Sequence, residues 1–155
     1  MDLIIIFLAK YLGYMLLAIF AVLFLKNRSK NFLFIPLISA LVSRFIFTEI
    51  IRFFYFRPRP FVEQGIVPLI EHASTASFPS GHAAFYFALS AGVYYYNKKA
   101  GLWFFAGSAA IGLARVFAGL HYFTDILGGL LIALLSYFLV RIFFKKKQDR
   151  ISALP

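Results

Sequence analysis

Residues 32–56 read FLFIPLISALVSRFIFTEIIRFFYF. A run this long and this apolar falls in the range of about 17–25 residues that reads as a membrane-spanning helix. It nevertheless carries Arg44, Glu49 and Arg52. A charge within a spanning segment is costly, so it faces a bundle interior and marks function. Arg44, Thr48 and Arg52 recur at i, i+4 and i+8, which places them on one helix face. Glu49 precedes Arg52 by three residues and can pair with it. Arg44 and Glu49 read equally well as a buried ion pair and as functional groups.

The whole chain has the same character. Of its 155 residues 62% are hydrophobic and 14% charged, where soluble domains average ~45–50% and ~25%. Mean hydropathy is +0.83. A water-soluble domain of this size exposes too much surface to hide that apolar content. Disorder, which requires low hydrophobicity, is excluded too. The class left is an all-α integral membrane protein, expected as one domain over residues 1–155. Sixteen Lys and Arg against six Asp and Glu give a net charge of +10. In an apolar chain that charge points to anionic membrane lipids and away from nucleic acid. The absence of cysteine excludes disulfides, thiolate metal sites and cysteine nucleophiles.

Five spans are predicted: Leu3–Leu25, Phe32–Phe56, a short one over His82–Tyr96, Leu102–Leu120 and Phe123–Phe144. No basic stretch precedes Leu3 and its apolar run is too long for a cleavable signal, so none is expected. Lys10, within the first span, reads as a snorkelling residue and not as a ligand. Lys26, Arg28 and Lys30, then Lys98 and Lys99, then Lys145, Lys146, Lys147 and Arg150 all fall on one side. The positive-inside rule makes that side cytoplasmic. The N-terminus, the loop Arg57–Pro79 and the turn Leu120–Tyr122 are then expected outside.

Three clusters on that outer side carry chemistry. Arg52, Arg57 and Arg59 bring several guanidinium groups to the outer surface, against the topological bias. Their planar forks match phosphate oxygens. In Phe78-Pro79-Ser80-Gly81-His82, Pro ends one segment, Ser caps a helix and Gly lets backbone N–H groups approach an anion. An ordinary Ser-capped helix start accounts for Pro79 and Ser80 but not for His82. Arg115 lies six residues before His121, and Asp125 follows His121 at i+4. A carboxylate on one imidazole nitrogen sets the tautomer and raises the basicity of the other. Asp125 could instead be a helix cap, although Thr124 can take that role. A zinc site of His72, His82 and His121 is disfavoured, because the surrounding arginines repel a cation.

Together these residues resemble the signature of the type 2 phosphatidic acid phosphatase superfamily, the membrane lipid phosphatases. The signature is a basic residue, six residues and Arg-Pro; then Pro-Ser-Gly-His; then Ser-Arg, five residues, His, three residues and Asp. Here it is met by Arg52 to Arg59-Pro60, by Pro79-Ser80-Gly81-His82, and by Arg115 to His121 and Asp125. The chain departs in having Arg52 for the usual Lys, Ala114 for the usual Ser, and five spans where the family commonly has six. Phe56–Phe61, His72–Phe78 and Ala9–Leu12 are similar to the bacitracin-resistance branch, the bacterial undecaprenyl-diphosphate phosphatases.

The resemblance implies a lipid phosphatase that needs no metal or other cofactor, in a bacterial inner membrane with its active site facing outward. It implies His121 as nucleophile through a phosphohistidine, Asp125 as its orienting partner and His82 as general acid. Arg52, Arg59, Arg115, Ser80 and the Gly81 N–H would hold the phosphoryl oxygens. Arg57 and His72 are candidates for a second phosphate or headgroup. The implied substrate is undecaprenyl diphosphate, whose recycling serves cell-envelope synthesis. A lipid A, phosphatidylglycerophosphate or phosphatidic acid phosphatase is the alternative, followed by a non-enzymatic lipid-phosphate-binding or transport protein.

Overall fold

A computed structural model describes residues 1–27 and 30–152, the side chains of Lys30 and of residues 147–152 excepted. Every regular element is helical: α1 (Asp2–Lys10), α2 (Leu12–Asn27), α3 (Lys30–Val42), a π-helical turn (Ser43–Phe47), α4 (Thr48–Phe54), α5 (Pro60–Glu63), α6 (Gly81–Tyr96), α7 (Lys98–Phe117) and α8 (Phe123–Ser152). Three continuous helical stretches are long and apolar enough to cross a membrane: Asn31–Phe54, Lys98–Phe117 and Phe123–Lys146. The predicted first span is not one straight helix. It breaks at Tyr11, where α1 and α2 meet at 42°, and the bent pair makes a possible fourth crossing.

The predicted third span is α6, 16 residues long. That is about 24 Å at 1.5 Å per residue, shorter than a full hydrocarbon core. It is also the most enclosed helix. Its residues Gly81, Ala83, Ala84 and Tyr86–Val93 are buried against α3, α7 and α8. Small residues allow this close packing, and Ser90 and Ser108 hydrogen-bond across the α6–α7 contact at 2.9 Å. Outward-facing Trp103, Phe53, Phe54 and Leu131 are exposed, as lipid-facing side chains are.

Three local features deliver residues to one end of the bundle. First, the π-helical turn adds a residue to a turn of helix, with the Thr48 hydroxyl donating to Ser43 O at 2.9 Å, five residues back. The predicted shared face of Arg44, Thr48 and Arg52 is thereby split. Thr48 is fully buried, whereas Arg44, Glu49 and Arg52 line one cleft. Second, α7 ends at Phe117, three residues before the predicted Leu120. Gly119 adopts φ 77°, and Leu120 N–H and Gly119 N–H bond back to the carbonyls of Arg115 and Val116. This is a Schellman stop, which turns the chain at once and brings His121 back to the bundle. Third, α8 crosses close to the start of α6. A Cβ on Gly129 would fall 2.8 Å from Ser80 O, so only glycine allows that approach.

The loop between α4 and α6, expected to be irregular throughout, contains the short helix α5. It is tied to the α7–α8 turn by Phe61 N–H to Gly119 O and Leu69 N–H to Ala118 O, each 3.2 Å. Lys26, Lys98 and Lys99 lie at helix ends opposite this loop, by the alternation of the helices. Arg28, from the same predicted set, lies outside the described residues, as do the side chains of Lys30, Lys147 and Arg150.

Candidate active site

A cleft of about 510 Å³ opens among the α4 end, the α6 start and the α7–α8 turn. Arg44, Arg52, Arg59, His72, His82 and His121 contribute its polar lining, together with Glu49. His121 is 2% exposed. Its Nδ1 lies 3.3 Å from Asp125 Oδ2, and its Nε2 lies 3.2 Å from Arg59 Nη1. A guanidinium can only donate, so Nε2 must be the acceptor and Nδ1 carries the proton given to Asp125. Burial pushes the imidazole down to about 4, against the opposing effect of the hydrogen bond it donates to Asp125 and with further depression by Arg59 and Arg115. His121 is thus neutral at pH 7, with its Nε2 lone pair taken by Arg59.

Asp125 is held from several directions. Oδ2 accepts from the Ser77 hydroxyl, from Tyr122 N–H at 2.9 Å and from His121. Oδ1 accepts from Arg57 Nη1 at 3.0 Å. Arg57 also donates to Thr124 Oγ1 at 2.7 Å and lies 3.8 Å over the Tyr122 ring. Arg57 is therefore committed to Asp125, and it is not among the cleft-lining residues. Neither Arg57 nor Ser77 was foreseen as a support of Asp125. The only sequence signal was their place in the quoted stretches Phe56–Phe61 and His72–Phe78.

Arg59 is buried and bonds to Thr75 O, Thr75 Oγ1, Leu120 O and Ala76 O as well as to His121. Burial lowers its guanidinium to about 10, which leaves it a cation at neutral pH. Arg52 donates to Pro79 O at 3.0 Å and to Glu49 at 3.3 Å. Its Nε is buried without a partner among the described residues. His82 lines the cleft from the first turn of α6.

Two of the predicted phosphate-holding residues stand back from the cleft wall. Ser80 is fully buried and caps α6, its hydroxyl 3.5 Å from Ala83 N–H, while its own N–H donates to Asp125 O. Arg115 is 5% exposed and donates to Ala9 O at 3.1 Å, its Nε lacking a partner among the described residues. Gly81 does line the cleft. His72 lines it as well, with Nδ1 donating to Ala73 O. Among the described residues no three of His, Asp and Glu converge as metal ligands.

The profile of the PAP2 superfamily matches residues 32–149, from α3 to the far part of α8. The chain belongs to the PAP2 superfamily. Undecaprenyl-diphosphatase BcrC of Bacillus subtilis is 32% identical over 141 residues, 90% of this chain and 72% of that protein. Phosphatidylglycerophosphatase B of Bacillus subtilis is 35% identical over 96 residues, 55% of this chain and 47% of that protein. Among solved structures, Aquifex aeolicus LpxE superposes with a TM-score of 0.72 at 27% identity, covering 90% of this chain and 84% of that one. A transmembrane PAP2-type phosphatidylglycerolphosphate phosphatase from Bacillus subtilis gives 0.59 at 25% identity, covering 92% and 74%. The chain is thus a membrane lipid phosphatase of the PAP2 superfamily.

Proposed function

We propose that this PAP2 protein removes the terminal phosphate of undecaprenyl diphosphate at the outer face of a bacterial inner membrane. One phosphatase domain over residues 1–155 and five membrane crossings, α6 included, go with that reading. The observation that carries it is the neutral His121, oriented by Asp125 and bonded through Nε2 to Arg59, in a cleft lined by three arginines. The likeness to undecaprenyl-diphosphatase BcrC supports the choice of lipid.

Phosphoryl transfer is mostly positioning and charge stabilisation, which fixed cations supply. The incoming phosphate takes over the Arg59 N–H now spent on His121, and this frees Nε2. That lone pair forms a bond to the terminal phosphorus as the P–O bond to undecaprenyl phosphate breaks. His82 gives its proton to the leaving oxygen. Asp125 stabilises the charge that develops on the imidazole. Water then attacks the phosphohistidine, His82 takes up a proton, and inorganic phosphate leaves. Arg52 and the Gly81 N–H bind equatorial oxygens, with the partnerless Arg52 Nε a donor in waiting. Arg115 and Ser80, which stand back from the cleft wall, are assigned to the phosphate from the family motif alone.

The test is phosphate release from undecaprenyl diphosphate by pure protein in EDTA, run beside phosphatidylglycerophosphate, phosphatidic acid and lipid A. Preference for the diphosphate is expected. A stronger turnover of a monoester would reassign the enzyme to the branch of phosphatidylglycerophosphatase B or LpxE. Binding without any turnover would leave a lipid-phosphate carrier.

A further inference from the structure

One charged cluster in the cleft is not used by this mechanism. Arg44 pairs with Glu49, which also accepts from Arg52. We propose that Arg44 is a specificity-determining residue that binds the second, non-transferred phosphate of a diphosphate substrate. The proposal rests on the reading of the substrate given above and assigns the residue that enforces it.

Position is the first argument. Beside the catalytic cleft lies a smaller one of about 200 Å³, and the two share Arg44, Gly81 and His82. The rest of the smaller cleft is Leu17, Phe45, Phe85 and Tyr86, an apolar and aromatic wall. A ligand that runs from one cleft into the other passes His82 and Arg44 and ends in hydrocarbon surroundings. In an in-line transfer the leaving oxygen departs away from His121, on the side of the acid His82. Beyond that oxygen a diphosphate carries a second phosphorus with anionic oxygens, followed by its hydrocarbon chain. A monoester carries only a neutral carbon there and offers a guanidinium nothing to bind.

Local packing is the second argument. A Cβ on Gly81 would fall 2.6 Å from Arg44 Nε, so the guanidinium lies directly against the first residue of α6. It is also 5.0 Å from the Phe45 ring centroid. The π-helical turn puts it there, since a regular helix would have paired Arg44 with Thr48 along one face.

The third argument is the counter-ion. A carboxylate repels phosphate, yet Glu49 lines a phosphate cleft, with its side chain 49% exposed. That exposure lets it swing into water while Arg44 and Arg52 exchange it for substrate oxygens.

The experiment is a calorimetric titration of the full chain in detergent micelles with inorganic phosphate and with methylene bisphosphonate, a diphosphate that cannot be hydrolysed. Arg44→Gln should weaken the bisphosphonate about 10- to 100-fold, as loss of a charge-assisted hydrogen bond does, and phosphate by less than about 3-fold. Arg44→Lys should recover part of the bisphosphonate loss. Retained phosphate binding shows that the cleft is folded. Equal weakening of both anions, or of neither, overturns the proposal. Turnover of undecaprenyl diphosphate by the unmodified chain is measured alongside. If Arg44→Gln abolishes the bisphosphonate preference but the chain has no such turnover, the substrate reading falls and Arg44 stands. If turnover is present and the preference is unchanged by Arg44→Gln, Arg44 falls and the substrate stands.

Discussion

Asp125 and Glu49 are both carboxylates paired with arginines, one behind His121 and one in the cleft wall, and their surroundings differ in kind. Asp125 is fully buried and accepts from Ser77, Tyr122 N–H, His121 and Arg57. Glu49 is half exposed and, among the described residues, pairs with Arg44 and Arg52. A buried carboxylate with its lone pairs committed cannot change partners without stranding several donors. A half-exposed one trades ion pairs for water at little cost. One end of the site is therefore a fixed support for a nucleophile, and the other is an exchangeable place-holder for an anion.

The comparison breaks most visibly at the fixed end. His121→Ala removes the nucleophile and should reduce phosphate release by about 10³-fold or more. Asp125→Asn keeps the shape but loses the charge that supports the imidazolium, and about 10²-fold or more is expected. Phosphate-release assays on both variants check this: near-normal turnover in His121→Ala would remove His121 from the mechanism, and in Asp125→Asn would remove Asp125 as its support. The supports of Asp125 come next. Ser77→Ala and Arg57→Gln each remove one donor to a buried carboxylate, and about 10-fold in kcat with little change in KM is expected. A rise in KM with kcat unchanged would instead make Arg57 a substrate contact.

That second pair marks where sequence reading stopped. The three motif stretches were visible because their spacing repeats a known pattern, and the helices Asn31–Phe54, Lys98–Phe117 and Phe123–Lys146 were legible from apolar run length, where five crossings were expected. Arg57 and Ser77 were not, because their link to Asp125 crosses 68 and 48 residues of chain and depends on how the outer loop folds back. The π-helical turn was equally invisible. A pattern of i and i+4 assumes a regular helix, and the extra residue moved Thr48 off the face that Arg44 and Arg52 share. The end of α7 was overrun because apolarity continues to Leu120, while the left-handed Gly119 has already ended the helix. The break at Tyr11 has only Gly13, two residues on, as a local hint, and an isolated glycine within an apolar run does not by itself mark a bend.

The fixed end also predicts a pH signature. Burial holds the His121 imidazole near 4, below its ordinary 6.5. As pH falls from 6.5 towards 4, the unfolded chain takes up a proton that the folded His121 does not, so this residue's contribution to stability is lost over that window. Nitrogen NMR of the histidine-labelled chain should show one imidazole, absent in His121→Ala, still neutral and protonated at Nδ1 at pH 6. Titration of that signal near 6.5 would mean that His121 is open to water and that the contrast with Glu49 is weaker than the packing implies.

Glu49 should give the smallest effect, and one of opposite sign. If it were a second fixed support, Glu49→Gln would depress turnover as Asp125→Asn does. If it is a place-holder, the neutral amide leaves Arg44 and Arg52 free and removes a negative charge from the path of the phosphate. Product inhibition by inorganic phosphate should then tighten by about 2- to 5-fold, the size expected for one exposed charge. The gain should shrink as salt is raised, because the removed repulsion is a screened one. Weaker inhibition in Glu49→Gln would show that the carboxylate holds the two arginines in their binding geometry, and would move Glu49 to the same side of the comparison as Asp125.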